Sequence, residues 1–282
     1  LVIKEKTTGS EYVWIEVPKT TTVYPTAGLN ITNFTDEEYT KIEEDLHTYT
    51  NEYRKRKDYN DIYSTDTTNG WFQSEKEYIE QKQKMLKSVY QNGGFWIGRY
   101  EAGIEKNRTA SGDAEIIPLS KANLYPYIYV TRTQAKVLAE KVESGSYTSS
   151  LVFGVQWDLI LKYIETKKIN EDTEIKTNLG SNSTEIGNYK GTLWNITNSL
   201  AKYSPNSGGK FIGCPYKKEL TEGVMLTTGA DEKFSLMNVY DIAGNVWEWS
   251  LEGNLNEVDY CVYRGGCYSN DGSEFSARGS RM

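Results

Sequence analysis

The chain has 282 residues, of which 25% are charged and 38% hydrophobic, and a formal net charge of −7. This composition is typical of a soluble globular protein with one large domain or two small ones. The acidic balance argues against the phosphate backbone of a nucleic acid as a partner. No apolar run approaches the roughly 20 residues that a membrane-spanning helix needs. Because the chain begins at Leu1 without an initiator Met, we expect an excised segment, with any signal or anchor outside it.

The first third of the chain predicts a strand followed by two helices. Residues 11–17 alternate between apolar and polar side chains, which is typical of a strand. A capping box at Thr35–Glu38 and apolar residues spaced by three and four predict a helix over 35–57. A second capping box, Ser74–Glu77, begins the next helix.

The middle of the chain predicts a strand, two more helices and a long loop. Residues 94–102 form the strand, and a capping box at Thr131–Gln134 begins the third helix. The fourth helix begins near Phe153 and has one apolar stripe. Residues 166–236 are polar and rich in Gly, Asn and Ser, which indicates a long irregular loop. A loop of this length usually carries function or is held by its own packing.

The most informative segment is residues 238–249, Asn-Val-Tyr-Asp-Ile-Ala-Gly-Asn-Val-Trp-Glu-Trp, followed by Arg-Gly-Gly at 264–266. Gly244 and Asn245 predict a turn, since both tolerate a positive φ. The alternation that follows places Trp247 and Trp249 on one face of a strand. Two indoles on one face predict a deep core there. The paired glycines mark a bend or a close approach of the backbone.

This segment resembles the signature of the formylglycine-generating-enzyme family, a branch of the C-type lectin-like fold. The positions that match are Asn238, Tyr240, Asp241, Gly244, Asn245, Val246, Trp247, Glu248, Trp249, Arg264, Gly265 and Gly266. The resemblance implies one α+β domain over 1–282, with mixed short strands, two or more core helices and long irregular loops. It covers about residues 11–17 and 94–282. The helical pair is not a standard part of the family, so we interpret residues 30–92 as an insertion.

The catalytic chemistry of that family does not carry over to this sequence. Family oxidases hold copper through two thiols, and the corresponding positions here are Asn270 and Phe275. Neither side chain supplies the thiolate that copper(I) prefers. Cys261 and Cys267 lie out of register, where a local disulfide is an alternative. A related branch uses histidines to hold iron, but this chain has only His47, which we expect on the polar side of its helix.

No cofactor is expected, but a structural calcium is one alternative. In the resembling enzymes, oxygen ligands around the same turn hold a cation, and Asn245 and Glu248 match those positions. Hard oxygen ligands suit calcium. The favoured interpretation is that Glu248 pairs with Arg264 or caps a backbone amide instead.

The last segment of the chain has the composition of a binding surface. Residues 260–282 contain no lysine and are dominated by Tyr, Ser, Gly, Asn and Arg, as in antibody paratopes. Inactive domains of the resembling fold serve as variable proteins of diversity-generating retroelements, in which adenine-directed mutagenesis alters displayed side chains. The residues that fit the permitted set, with Glu274 as invariant scaffold, are Tyr260, Tyr263, Cys267, Tyr268, Ser269, Asp271, Ser273, Phe275 and Ser276.

The sequence therefore predicts a non-catalytic, receptor- or adhesin-type binding domain with a variable C-terminal surface. Its partner would be a protein or glycan ligand on another cell or phage host, and its location the exterior or surface of a bacterium or phage. Residues Asn245, Trp247, Glu248, Trp249, Arg264, Gly265 and Gly266 would form the supporting scaffold. The alternatives are a copper oxidase of the formylglycine-generating type and a structural surface or pilus domain.

Overall fold

A computed structural model gives the structure of residues 1–54, 58–65, 68–142, 147–219, 221–256 and 261–281. Helices and small sheets are interleaved along these residues, so the predicted α+β class is confirmed. The helices are α1 (Asp36–Tyr49), α2 (Glu75–Asn92), α3 (Arg132–Glu140), α4 (Gly154–Lys168) and α5 (Ile175–Gly180), with a 3-10 turn at Glu232–Phe234. In these residues no helix is both long enough and apolar enough to cross a bilayer.

The strands are mostly short and lie in several small antiparallel sheets. They are β1 (Val2–Lys4), β2 (Glu11–Glu16), β3 (Tyr59–Asn60), β4 (Gly94–Gly98), β5 (Gly103–Ile104), β6 (Tyr125–Pro126), β7 (Trp194–Ile196), β8 (Lys202–Ser204), β9 (Ile212–Gly213), β10 (Tyr216–Lys218), β11 (Met225–Leu226), β12 (Ser235–Leu236), β13 (Val239–Tyr240), β14 (Glu248–Asn254), β15 (Cys261–Arg264) and β16 (Ser280–Arg281). A four-stranded sheet has the order β16-β15-β14-β3.

The predicted helix starts are confirmed by their caps. Thr35 accepts a hydrogen bond from the backbone N–H of Glu38, whose side chain accepts from the Thr35 N–H in return. Thr131 and Gln134 form the same reciprocal pair at α3. The first helix is shorter than the predicted 35–57, because it ends at Tyr49 and the chain then turns. Residues 55–57 of that prediction lie outside the described residues.

The helical pair α1 and α2 shares one core with the rest of the chain. Ile42 and Leu86 are fully buried in the same cluster as Val13 of β2 and Trp157 of α4. The hydroxyl of Tyr78 on α2 donates a hydrogen bond to the backbone oxygen of Leu251 on β14, at 2.9 Å. The segment interpreted as an insertion therefore contributes directly to the interior against which the β14–β15 ladder packs.

The predicted long loop at 166–236 has more regular structure than its composition suggested. It contains α5 and the strand pairs β7–β10 and β8–β11. Trp194, Ile196 and Phe234 belong to a second, smaller hydrophobic cluster that this segment forms by itself. Strands of two or three residues carry too little periodicity to be read from sequence. The segment is nevertheless held by its own packing, which was one of the two expected outcomes.

The start of α4 is fixed by carboxylates from two other elements. Asp61, next to β3, accepts hydrogen bonds from the N–H groups of Gly154 and Val155, at 2.6 and 2.9 Å. The carboxylate of Glu252 on β14 fills the space that a Cβ at Gly154 would occupy. The φ of Gly154 is not in the left-handed region, so glycine is required there for space and not for conformation.

We predict that Gly154→Ala destabilises the fold by about 1–3 kcal/mol, because the added methyl group must displace a buried carboxylate. A Gly→Ala change in a helix ordinarily stabilises the folded state by about 0.5–1 kcal/mol. A loss of stability in Gly154→Ala would therefore distinguish this site from an ordinary helical glycine. The measurement is the free energy of unfolding in urea. Gly213→Ala is the control, since a Cβ there meets nothing within 4 Å. A neutral or stabilising Gly154→Ala would contradict the prediction.

Candidate ligand-binding surface

The two faces of the β14–β15 ladder have opposite characters. Glu248 lies opposite Arg264 in the ladder, and Trp249 lies opposite Tyr263. Side chains alternate along a strand, so these two pairs point to opposite faces. Arg264 is buried, whereas Trp249 and Tyr263 are only partly buried. One face of the ladder therefore belongs to the interior and the other to the surface.

Four aromatic side chains form a contiguous cluster on the surface side, called here the aromatic cluster: Trp247, Trp249, Tyr263 and Phe275. The ring of Tyr263 lies between the two indoles, at centroid distances of 4.8 Å from Trp247 and 5.2 Å from Trp249. Phe275 packs on Trp247 at 5.3 Å. All three contacts are edge-to-face, which is a favourable geometry for aromatic rings. The rings thus support one another and remain partly accessible.

The prediction that Trp247 and Trp249 build a deep core is wrong. Both indoles are half-buried, and neither belongs to a buried hydrophobic cluster of the described residues. The alternation correctly placed them on one face, but it could not decide which face is buried. That choice depends on Arg264, which is one residue from Tyr263 and takes the interior side.

A cleft of about 400 Å³ adjoins the aromatic cluster at Trp249. Its walls come from Thr68, from residues 130–133 at the start of α3, and from Cys261. The indole N–H of Trp249 donates to the backbone oxygen of Val130, at 3.1 Å, which fixes the ring at the edge of the cleft. The guanidinium of Arg132 lies 3.9 Å from the ring centroid of Trp71 and is a cation–π partner there. Sequence patterns did not indicate this cleft, because its walls are distant in the chain.

The predicted ligand-binding residues divide into three groups. Ser269, Asp271 and Ser273 are exposed, and Cys267 and Tyr268 are half-buried beside them, as are Tyr263 and Phe275 of the aromatic cluster. Ser276 is 2% exposed and its hydroxyl donates to the backbone oxygen of Gly180 at 3.1 Å, so in contrast to the prediction it is not displayed. Tyr260 lies outside the described residues.

The displayed segment 267–273 is ordered by its own short-range bonds. Asn270 Oδ1 accepts from the backbone N–H of Cys267 at 3.0 Å, and Asp271 accepts from both the N–H and the hydroxyl of Ser273 at 2.8 and 2.7 Å. The pKa of Asp271 is lowered by these bonds. The exposed side chains are therefore presented on a defined backbone.

The paired glycines before this segment are required by the close approach of other groups. Gly265 and Gly266 have φ of +89° and +81°, in the region that favours glycine. A Cβ at Gly265 would collide with the carboxylate of Glu248, and one at Gly266 would lie 2.9 Å from the ring of Tyr189. The Tyr189 hydroxyl donates to the backbone oxygen of Gly265 at 2.7 Å. This confirms the predicted bend and close approach.

Arg264 is the centre of a buried ion-pair network. Its Nε and Nη2 donate to the two oxygens of Glu252, each at 2.6 Å, and its Nη1 donates to Asp158 at 3.2 Å. Nη1 also donates to the backbone oxygen of Arg278. Arg264 therefore pairs with Glu252 and Asp158 and not with Glu248, so the first of the two roles expected for Glu248 is wrong. The other expected role, the capping of a backbone amide, stays a prediction.

Glu248 instead lies beside Glu101, and burial raises the pKa of both carboxyl groups well above the ordinary range. Asn245 completes this group: its Nδ2 donates to Glu101 at 2.6 Å, and its Oδ1 accepts from the N–H of Leu226 and from Asn188. To bind calcium, Oδ1 of Asn245 would have to give up its hydrogen bonds with those N–H donors. Of the two residues matched to the calcium alternative, Asn245 has its side-chain oxygen occupied by N–H donors, whereas Oε2 of Glu248 is buried and has no hydrogen-bond partner among the described residues.

Asn270 and Phe275 lie at the positions where the family oxidases hold copper. The side-chain oxygen of Asn270 accepts hydrogen bonds from the backbone N–H and the thiol of Cys267. The ring of Phe275 packs on Trp247. Cys261 and Cys267 are not joined by a disulfide. The Cys267 thiol lies 3.1 Å from Oδ1 of Asn270. Its neighbour is therefore an amide oxygen, where a two-thiol copper site would have a second sulfur atom. The groups at these two positions bring no thiolate pair together.

Comparison of the chain with protein-family models, with curated proteins and with solved structures gave no match.

The buried network predicts a specific pH dependence. Burial raises the pKa of Asp158 from 3.8 to about 7, and this effect outweighs the attraction of Arg264. The folded state therefore holds this proton more tightly than the unfolded state. The contribution of this protonated carboxyl group to folding stability is fully present below pH 3.8, the pKa of Asp158 in the unfolded chain. It is lost as the pH rises through the folded-state pKa of about 7.

The side chain introduced by Asp158→Asn cannot ionise. The free energy of unfolding of this variant, relative to that of the wild type, should therefore increase with pH by at most about 1.4 kcal/mol per pH unit. The difference should level off above pH 7, where Asp158 of the wild type is ionised. Urea unfolding of both proteins at pH 5, 6, 7 and 8 measures this difference. A constant difference across that range would contradict the raised pKa of Asp158 in the folded state.

Proposed function

We propose that this chain is a non-catalytic binding domain with a C-type lectin-like fold, related to the formylglycine-generating enzymes and to the variable proteins of diversity-generating retroelements. Two features support the relationship: the signature residues of 238–249 and 264–266, and the tertiary use of those residues as a turn, a buried arginine and a glycine bend. The expected setting is the surface or exterior of a bacterium or phage, and the partner is a ligand on another cell or phage host.

The observation that carries the proposal is the aromatic cluster next to an exposed polar segment. Binding hot spots are rich in Trp and Tyr, lie near the centre of an interface and are surrounded by polar residues. Trp247, Trp249 and Tyr263 provide the aromatic centre, and Ser269 and Asp271 lie on the adjoining exposed segment. The rings are held by edge-to-face contacts, so little side-chain freedom is lost when a ligand binds.

The geometry favours a protein ligand over a glycan. Tyr263 is inclined by 78° and 84° to the planes of the two indoles, so the three rings do not form one flat platform. A sugar ring that stacks on an aromatic face needs such a platform. Side chains of a protein can pack on the inclined rings and fill the cleft beside Trp249.

The rival oxidase function has less support. Phe275 and Asn270 occupy the positions where the resemblance would place thiols, and both have other structural partners. A purely structural surface role would require no partly accessible aromatic cluster. Copper binding with turnover of a cysteine-containing peptide by the purified protein would favour the oxidase instead.

A first prediction concerns sister genes. If the segment is diversified, aligned sister sequences should vary at the exposed Ser269, Asp271 and Ser273 and remain fixed at Arg264 and the two glycines that follow it. The buried Ser276 should vary least of the proposed positions, because substitution there removes its bond to Gly180. Sequencing the locus and its neighbours for a template repeat and a reverse transcriptase is the measurement. Uniform conservation of 267–273 would contradict diversification but not binding.

A second prediction concerns the aromatic cluster. The probes are a glycan array and the surface-exposed proteins of candidate host cells, each tested with the purified chain. For any ligand found, Trp247→Ala and Tyr263→Ala should weaken binding at least tenfold, equivalent to about 1.4 kcal/mol. Each also loses ring contacts, so stability should fall by about 0.5–1.5 kcal/mol per contact while the protein remains folded.

Tyr147→Ala is the matched control, since Tyr147 is 70% exposed and lies outside the cluster. Unchanged affinity in Trp247→Ala and Tyr263→Ala, with circular dichroism showing folded proteins, would overturn the assignment of this surface.

A further inference from the structure

A second cavity lies on another part of the molecule, between α1 and the chain that follows β3. Its volume is about 580 Å³. Glu43 and His47, one helical turn apart on α1, line one wall, and Asp61 lines the other. The nearest ligand atoms of these three side chains lie within 4.8 Å of one another. Imidazole and carboxylate are the side chains that bind divalent ions such as zinc.

Among the residues that the structure describes, neither ring nitrogen of His47 has a hydrogen-bond partner. The sequence predicted a solvated surface imidazole, but only 15% of the side chain is exposed and both ring nitrogens are buried and unpartnered. A buried polar atom without a partner costs about 1–3 kcal/mol. The Nε2 atom lies 3.8 Å from Oε1 of Glu43, too far for a hydrogen bond.

The charges around the three side chains are mixed. Lys82 on α2 donates to Oε1 of Glu43 at 2.8 Å and to the backbone oxygen of Asp61 at 2.9 Å. Arg54 and the exposed Glu44 also line the cavity. Lys82 occupies Oε1, so Glu43 would bind an ion through its second oxygen, Oε2, and keep its contact with Lys82. The ammonium group nevertheless repels a cation and lowers the affinity.

We propose that Glu43, His47 and Asp61 form a binding site for a divalent ion of the zinc class. The site is independent of the aromatic cluster and of the proposed recognition function. Three protein ligands leave one position of a tetrahedral ion open to water or to a further ligand. Because Asp61 also caps α4, an ion there would join α1 to the start of that helix.

The test uses the only histidine of the chain as its own reporter. In a protein without a histidine tag, the imidazole C–H signals in a proton NMR spectrum belong to His47. Zinc chloride should shift or replace these signals and saturate at one equivalent per site. Magnesium chloride at the same concentration should leave them unchanged, since magnesium prefers oxygen ligands. Zinc held by the cysteine thiols does not move this signal, because the imidazole is observed directly.

Three variants make the test specific. Glu43→Gln should weaken zinc binding by about tenfold or more. Glu37→Gln, an exposed substitution on the same helix, should leave the affinity unchanged. Lys82→Met removes the repelling ammonium and should tighten binding several-fold. Asp61→Asn is less suitable, because that carboxylate also holds the start of α4.

Imidazole signals that do not move at millimolar zinc would overturn the proposal. Signals that move equally in the wild type and in Glu43→Gln would also overturn it, since they would report an isolated imidazole. Either result leaves the aromatic cluster and its ligand-binding role untouched.

Discussion

The buried guanidinium of Arg264 is the constraint on which the surrounding structure depends. Removing a cation from water is costly unless its hydrogen bonds are completed inside the protein. Arg264 completes them with Glu252 of β14, Asp158 of α4 and the backbone oxygen of Arg278. The guanidinium presents its donors in a rigid, planar arrangement, so these three elements must take one relative position. Loss of a partner would leave an uncompensated buried charge, which typically costs about 3–5 kcal/mol.

The accessible aromatic face follows from this buried one. Since Arg264 points inward, its neighbour Tyr263 points outward, and the ladder places Trp249 opposite Tyr263. Trp247, two residues earlier, faces the same way and contacts the same ring. The bend at Gly265 then turns the chain into the exposed segment. A single inward charge therefore sets the orientation of the whole proposed recognition surface.

The α4 helix connects this surface to the cavity lined by Glu43, His47 and Asp61. Asp61 holds the first N–H groups of α4, and Asp158, one turn further on, pairs with Arg264. Gly154 keeps the space into which Glu252 fits. The segment around α1 and α2 is therefore built into the core through Asp61 and through Tyr78, whose hydroxyl reaches β14. Its apolar side chains share the main cluster with those of β2 and α4.

The sequence by itself determined the local features: the capped starts of α1, α2 and α3, the turn at Gly244–Asn245, the glycine bend and the shared face of Trp247 and Trp249. Each of these depends on side-chain and backbone preferences within a few residues. Only the tertiary structure decided which face of the ladder is buried, which carboxylates pair with Arg264, and that His47 lies in a cavity beside Asp61. Those outcomes depend on contacts between residues far apart in the chain, such as Asp158 with Arg264, whose strength comes from their joint removal from water.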